Sequence, residues 1–229
     1  MENKKFLYGK FAIYTVAIPL GITLLLTVAF CLIEKNYYYL PYELDFLIDV
    51  TYNSLFYFLY IVLFFTLGIL CVVSLKMKIG PIIITNCISA VCTFALFPFA
   101  AYFIRAIFLS ATASEDVMSE YFFSDLLCGV ENVARLGVGI VVVVAVNIFF
   151  TIKKIPTEPQ KPYLAPKSAP QIAFMIFYLA WMLMAVLIFV FSEEHVVSSV
   201  LIEIAISVAG YFISVLGMVF AEKKLFKTE

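Results

Sequence analysis

Four polar residues stand in stretches that otherwise belong in lipid. Glu131, Asn132 and Arg135 lie within LLCGVENVARLGVGIVVVVAVNIFFTIKK, and Glu203 lies within a later apolar run. Ionisable groups inside membrane spans are costly and mark candidate functional sites, and the forked donors of an arginine suit a carboxylate or phosphate. Glu131 and Arg135 are four residues apart, so on a helix they share a face and can pair. At 1.5 Å per residue, Arg135 and Glu203 each lie about 26 Å from the lysine-rich end of their run. That places both just under the far interface of a core about 30 Å thick. Opposite charges at matching depth lead to the expectation of an Arg135–Glu203 pair, with Glu131 as the competing partner. These four residues form the expected ligand-binding or buried ion-pair set.

Other chemistries find little support. The chain has one histidine, His195, and its five cysteines (Cys31, Cys71, Cys87, Cys92 and Cys128) include no CxxC pair. No metal site is expected from such a set, and cysteines in apolar runs behave as small hydrophobes. No GxSxG, P-loop or GxGxxG element occurs in a usable context, so no enzymatic activity and no cofactor are expected. Nothing points to a nucleic-acid partner.

The elements that must carry these residues follow from composition. Of 229 residues, 64% are hydrophobic and 14% charged, where soluble domains run at about 45–50% apolar and about 25% charged. The expectation is an all-α polytopic membrane protein with six spans, at about 11–33, 54–75, 81–103, 130–152, 169–191 and 196–221. The first run is too long for a signal-peptide core and offers Phe30 where a cleavage site needs a small residue, so it reads as a retained anchor.

Charge fixes the orientation. Lys4, Lys5 and Lys10, then Lys76 and Lys78, then Lys153, Lys154, Lys161 and Lys167, then Lys223, Lys224 and Lys227 all fall on one side of a six-span chain. They make up twelve of the fifteen basic residues. The acidic segments EKNYYYLPYELDFLID, SATASEDVMSEYFFSD and SEEH fall on the other. Positive charge on the inside places both termini in the cytoplasm. The aromatic-acidic outer segments suit short amphipathic pieces at the outer interface, with Tyr37, Tyr38, Tyr39, Tyr42, Tyr121 and Phe122 as interfacial belt residues.

Three parts follow: a four-helix part at 1–152, a proline-rich cytoplasmic linker at 153–168 expected to be extended and irregular, and a two-helix hairpin with a basic tail at 169–229. In the last span Glu203, Ser207, Gly210, Ser214 and Gly217 repeat at spacings of 4, 3, 4 and 3 residues. Small residues in such a stripe let another helix approach. Gly210, Gly217 and Gly139 are therefore expected at helix contacts, and Ser207, Ser214, Asn86 and Asn147 in interhelical hydrogen bonds. Pro19 and Pro98 should kink spans one and three.

The function class expected first is a small-solute carrier or the membrane subunit of a transport complex, with an outward-facing polar site of Arg135, Glu203, Glu131 and Asn132, and Asn53 and Arg105 as further candidates, that takes a small anionic ligand. The alternative is a non-catalytic accessory, immunity or assembly protein that acts through contacts with another membrane protein. The bilayer is the partner common to both, and the excess of lysine over arginine favours a bacterial plasma membrane. Reporter domains active only in the cytoplasm should work when fused at either terminus and be silent when fused at residue 45; assays of such fusions check the orientation.

Overall fold

Backbone polar groups have no water partners in lipid, and a helix is the form that pairs them within one segment. The computed structural model describes residues 4–36, 46–76, 84, 88, 91–109, 115–156, 160–191 and 197–228. It is helical almost throughout: α1 Tyr8–Ala12, α2 Ile18–Lys35, α3 Phe46–Lys76, α4 Phe97–Leu109, α5 Glu115–Ile152, α6 Ala169–Phe191 and α7 Val197–Phe220. Among the described residues, five helical stretches are long and apolar enough to cross a membrane, and the 23-residue α6 adds a sixth apolar helix. The chain is a multi-pass helical membrane protein.

A three-residue antiparallel pair, β1 Lys4–Phe6 with β2 Phe226–Thr228, joins the two ends of the chain, and the rings of Phe6 and Phe226 lie 5.4 Å apart. Ends that pair must lie on the same side of the bilayer. The number of crossings is therefore even, as the charge distribution requires.

Three helices run further toward the outer side than hydropathy places them. α3 starts at Phe46, α4 continues past Arg105 to Leu109, and α5 starts at Glu115 rather than near residue 130. The 38 residues of α5 extend about 57 Å. The segment from Glu115 to Asp125, expected as a separate amphipathic piece, is thus the first three turns of one continuous helix. Its innermost charge, Asp125, finds a partner in Arg105 on α4, so it need not end the span. Tyr37 to Tyr42 lie outside the described residues.

Both intramembrane prolines follow a π-helical turn, Ile13–Ala17 before Pro19 and Val91–Ala95 before Pro98. Proline lacks an N–H and crowds the carbonyl four residues earlier, and a widened turn accommodates it. The carbonyl that Pro19 leaves without its usual partner is Thr15 O, which accepts a hydrogen bond from Thr93 Oγ1 at 2.8 Å. The carbonyl that Pro98 releases is Phe94 O. It is approached so closely by Gly129 of α5 that a Cβ there would strike it.

A second set of close contacts joins α7 to α3 and α6. A Cβ at Gly68 would strike the Ser214 carbonyl, one at Gly217 would strike the Phe65 carbonyl, and one at Gly210 would lie 2.7 Å from the Phe64 ring. Ser214 Oγ donates to Phe64 O at 2.9 Å. Tyr178 OH of α6 meets Ser214 Oγ at 2.5 Å and donates to Gly210 O at 3.1 Å. Gly139 of α5 is held against Leu67.

The proline-rich linker is irregular yet tied down. Buried Gln171 donates to Gln160 O at 2.9 Å and Tyr163 O at 2.8 Å, and its Oε1 accepts from Ser168 Oγ at 2.7 Å. Ala169 N–H donates to Pro156 O at 2.8 Å, which closes the linker on itself. Tyr163 OH donates to Glu222, and burial together with that carboxylate holds the phenol well above the usual tyrosine range. α5 ends in a Schellman motif: Ile155 N–H donates to Phe150 O, Lys154 N–H donates to Thr151 O, and Lys154 has φ 58°.

The described contacts divide into two compact units, Met1–Phe6 with Phe64–Ile83 and Leu136–Glu229, and Leu7–Leu63 with Ile84–Arg135. The division passes through α3 and α5 and so cuts across the order of the chain.

Thr93→Val keeps the shape of the side chain but strands the Thr15 carbonyl. It should cost about 1–3 kcal/mol, the penalty for a buried acceptor left without a donor. The drop in detergent melting temperature against Thr15→Val, which retains the carbonyl, measures it.

Candidate functional site

In the unit that contains Leu7–Leu63 and Ile84–Arg135, the outer ends of α2, α4 and α5 and the first turns of α3 surround one arginine. Helical spacing assembles the cluster. On α5, Met118, Tyr121, Asp125, Cys128 and Asn132 recur every three or four residues and so form one face. On α2, Thr23, Thr27, Phe30 and Glu34 do the same, and Thr23 and Thr27 return their hydroxyls to carbonyls of their own helix.

Arg105 of α4 and Asp125 of α5 form a salt bridge in which both side chains are wholly buried. Arg105 NH1 donates to Asp125 Oδ2, and NH2 lies 3.4 Å from Oδ1. The guanidinium carbon is 4.9 Å from the centre of the Tyr121 ring and 5.6 Å from that of Phe30. These rings form an apolar sleeve that excludes water and also stabilises the cation through its π faces. Tyr121 OH donates to Glu34 Oε1 at 2.7 Å, and Tyr52 OH donates to Ser124 Oγ at 3.0 Å. Phe30, Cys31, Leu109 and Met118 fill the apolar floor.

A bidentate pair in such a setting is held by geometry as much as by charge. Two desolvated ions gain net stability only where their hydrogen bonds are well made. Arg105 Nε, Glu34 Oε2 and Asn132 Oδ1 are nevertheless buried with no hydrogen-bond partner among the described residues. Together they offer one donor and two acceptors. Among the described residues no group of three histidine, cysteine or acidic side chains could hold a metal ion. Cys31 and Cys128 are buried free thiols.

The residues singled out by sequence are placed as follows. Glu131 and Arg135 pair along α5, half-exposed and one-fifth exposed respectively, with the Arg135 guanidinium 5.0 Å above the Tyr60 ring. Asn132, next to them in sequence, is buried and donates from Nδ2 to Cys128 O at 3.0 Å. Glu203 accepts from Trp181 Nε1 at 3.1 Å. Ser207 Oγ donates to Tyr178 O at 3.2 Å. Arg135 and Glu203 belong to different compact units. Asn86 lies outside the described residues, as does the side chain of Asn147.

Sequence reasoning placed Arg105 just after the third span, as a further candidate for the outward-facing polar cluster, and Asp125 in an outer segment, and it did not pair the two. The signal that could have joined them is the Tyr121–Asp125–Cys128–Asn132 stripe, which makes sense only if α5 begins well before residue 130.

Fold and site together define a multi-pass membrane protein in which a buried arginine–aspartate pair joins α4 to α5. Searches of protein-family models, of curated proteins and of solved structures give no match to this chain.

Arg105→Leu or Asp125→Asn alone leaves a buried charge without its partner and should destabilise by about 3–5 kcal/mol. The double change Arg105→Met with Asp125→Leu should recover most of that loss. Melting of the three variants in one detergent checks both statements.

Proposed function

We propose that this chain is a non-catalytic accessory or assembly subunit of a bacterial plasma-membrane complex, acting through helix and loop contacts. The observation that carries this reading is that several polar groups within its spans are engaged by neighbouring helices. Ser214, Ser207 and Gly210 are taken up by Phe64 and Tyr178, and Glu203 by Trp181. Asp125 is taken up by Arg105. Groups bonded in this way hold helices in register, which is the common role of polar side chains in lipid. The outward face of α5 offers a contact surface, with Val138, Val141 and Ile148 each more than half exposed.

A solute carrier is the second reading, favoured by the unused Arg105 Nε, Glu34 Oε2 and Asn132 Oδ1. A small anion with a hydroxyl group could accept from the guanidinium and donate to the carboxylate. In that case the outward-facing site is centred on Arg105 rather than on Arg135 and Glu203. The Arg135–Glu203 pair remains a proposal of its own: exchanging the two charges should rescue the stability lost in Arg135→Ala and Glu203→Ala.

A photo-crosslinking residue in place of Val141, activated in the native membrane, separates the two readings. A contact subunit should give a protein adduct of discrete mass, whereas lipid adducts alone count against it. In parallel, a melting-temperature rise with phosphate or small hydroxy-carboxylates that disappears in Glu34→Gln would establish the carrier reading.

A further inference from the structure

The cytoplasmic ends of α5, α6 and α7 bring together more positive charge than orientation alone requires to be ordered. Lys153 and Lys154 directly follow α5, Lys167 lies two residues before α6, and Lys223 and Lys224 follow α7 by three and four residues. Lys161 stands in the linker between them, and all six side chains are exposed. The hydrogen bonds of the linker bring these segments together. Tyr163, two residues from Lys161, is bonded to Glu222, the neighbour of Lys223, and Ala169 N–H closes back on Pro156 O beside the Lys153–Lys154 pair.

We infer that the docked linker and its flanking lysines form a binding site for the headgroups of anionic phospholipids. Height favours lipid over a soluble acidic partner. Five of the six lysines lie within about one turn of a span end, roughly 6 Å, which is headgroup level rather than open cytosol. The linker also reaches inward. Tyr211, nine residues before the end of α7, donates to Leu164 O at 3.3 Å. The Leu164 side chain is 52% exposed there. An apolar side chain flanked by ammonium groups suits the boundary between acyl chains and phosphates. Glu222, the acid nearest the lysines in sequence, is engaged by Tyr163, so it competes less for them. A site of this kind differs from the general excess of lysine on the inner face, because it needs the linker to be docked.

The test titrates the purified full chain in an uncharged detergent with phosphatidylglycerol, with phosphatidylcholine and with inorganic phosphate. Phosphatidylglycerol should raise the melting temperature by about 5 °C or more near saturation, with the other two near zero. The rise should be largely lost in the triple variant Lys161→Gln, Lys167→Gln, Lys223→Gln and reduced by added salt. It should also shrink in Tyr163→Phe, which removes the tie between the linker and Glu222 without removing a charge. Equal stabilisation by both lipids overturns the inference, as does an undiminished response in the lysine variant. A rise with inorganic phosphate alone would assign the lysines to free anions instead of a membrane surface.

Discussion

Within a bilayer a carbonyl or a charge has no water to turn to, so each polar group released by the sequence must be met by protein. Much of this structure can be followed from that demand. Pro19 and Pro98 each remove a backbone donor, and the two freed carbonyls become the points where helices meet: Thr15 O receives a hydroxyl from Thr93, and Phe94 O receives the backbone of Gly129. The kink and the contact are therefore one event. Ser214 and Tyr178 work in the same way on α7 and α6, where hydroxyls reach carbonyls that glycines leave accessible.

The chain uses a different chemistry at each level of the membrane. At the outer end an ion pair within an aromatic sleeve joins α4 to α5. Within the spans, small residues and hydroxyls do the joining. At the inner end a single amide, Gln171, gathers the linker through its carbonyls. The ion pair thus stays toward the outer end, and the contacts within the spans are left to neutral donors and van der Waals contact, which fits the cost of each group in hydrocarbon.

The helical fold and the position of most spans were legible, because long apolar runs and lysine-rich ends are direct consequences of bilayer thickness and surface charge. α6 and α7 start and stop within a residue of their expected limits. The outer limits were not legible. A hydropathy window treats Arg105 and Asp125 as lying beyond the spans, while in three dimensions their charges cancel and α4 and α5 continue through them. The small-residue stripe of α7 could be read from one helix alone. Its counterpart Gly68, a lone glycine within the aromatic run of α3, gave no periodic signal. The linker was read as extended from its prolines, but Gln171, which ties it down, is an ordinary glutamine until its neighbours are in place.

The short ladder between β1 and β2 has a consequence for how the molecule is made. It joins Phe6 to Phe226, 220 positions apart, so among the described contacts it is one of the last that synthesis can supply. A chain in which one span failed to insert would deliver these strands to opposite faces of the bilayer, and the ladder could not close. Three residue pairs therefore act as a parity check on membrane insertion, passed only when the number of crossings between the two strands is even.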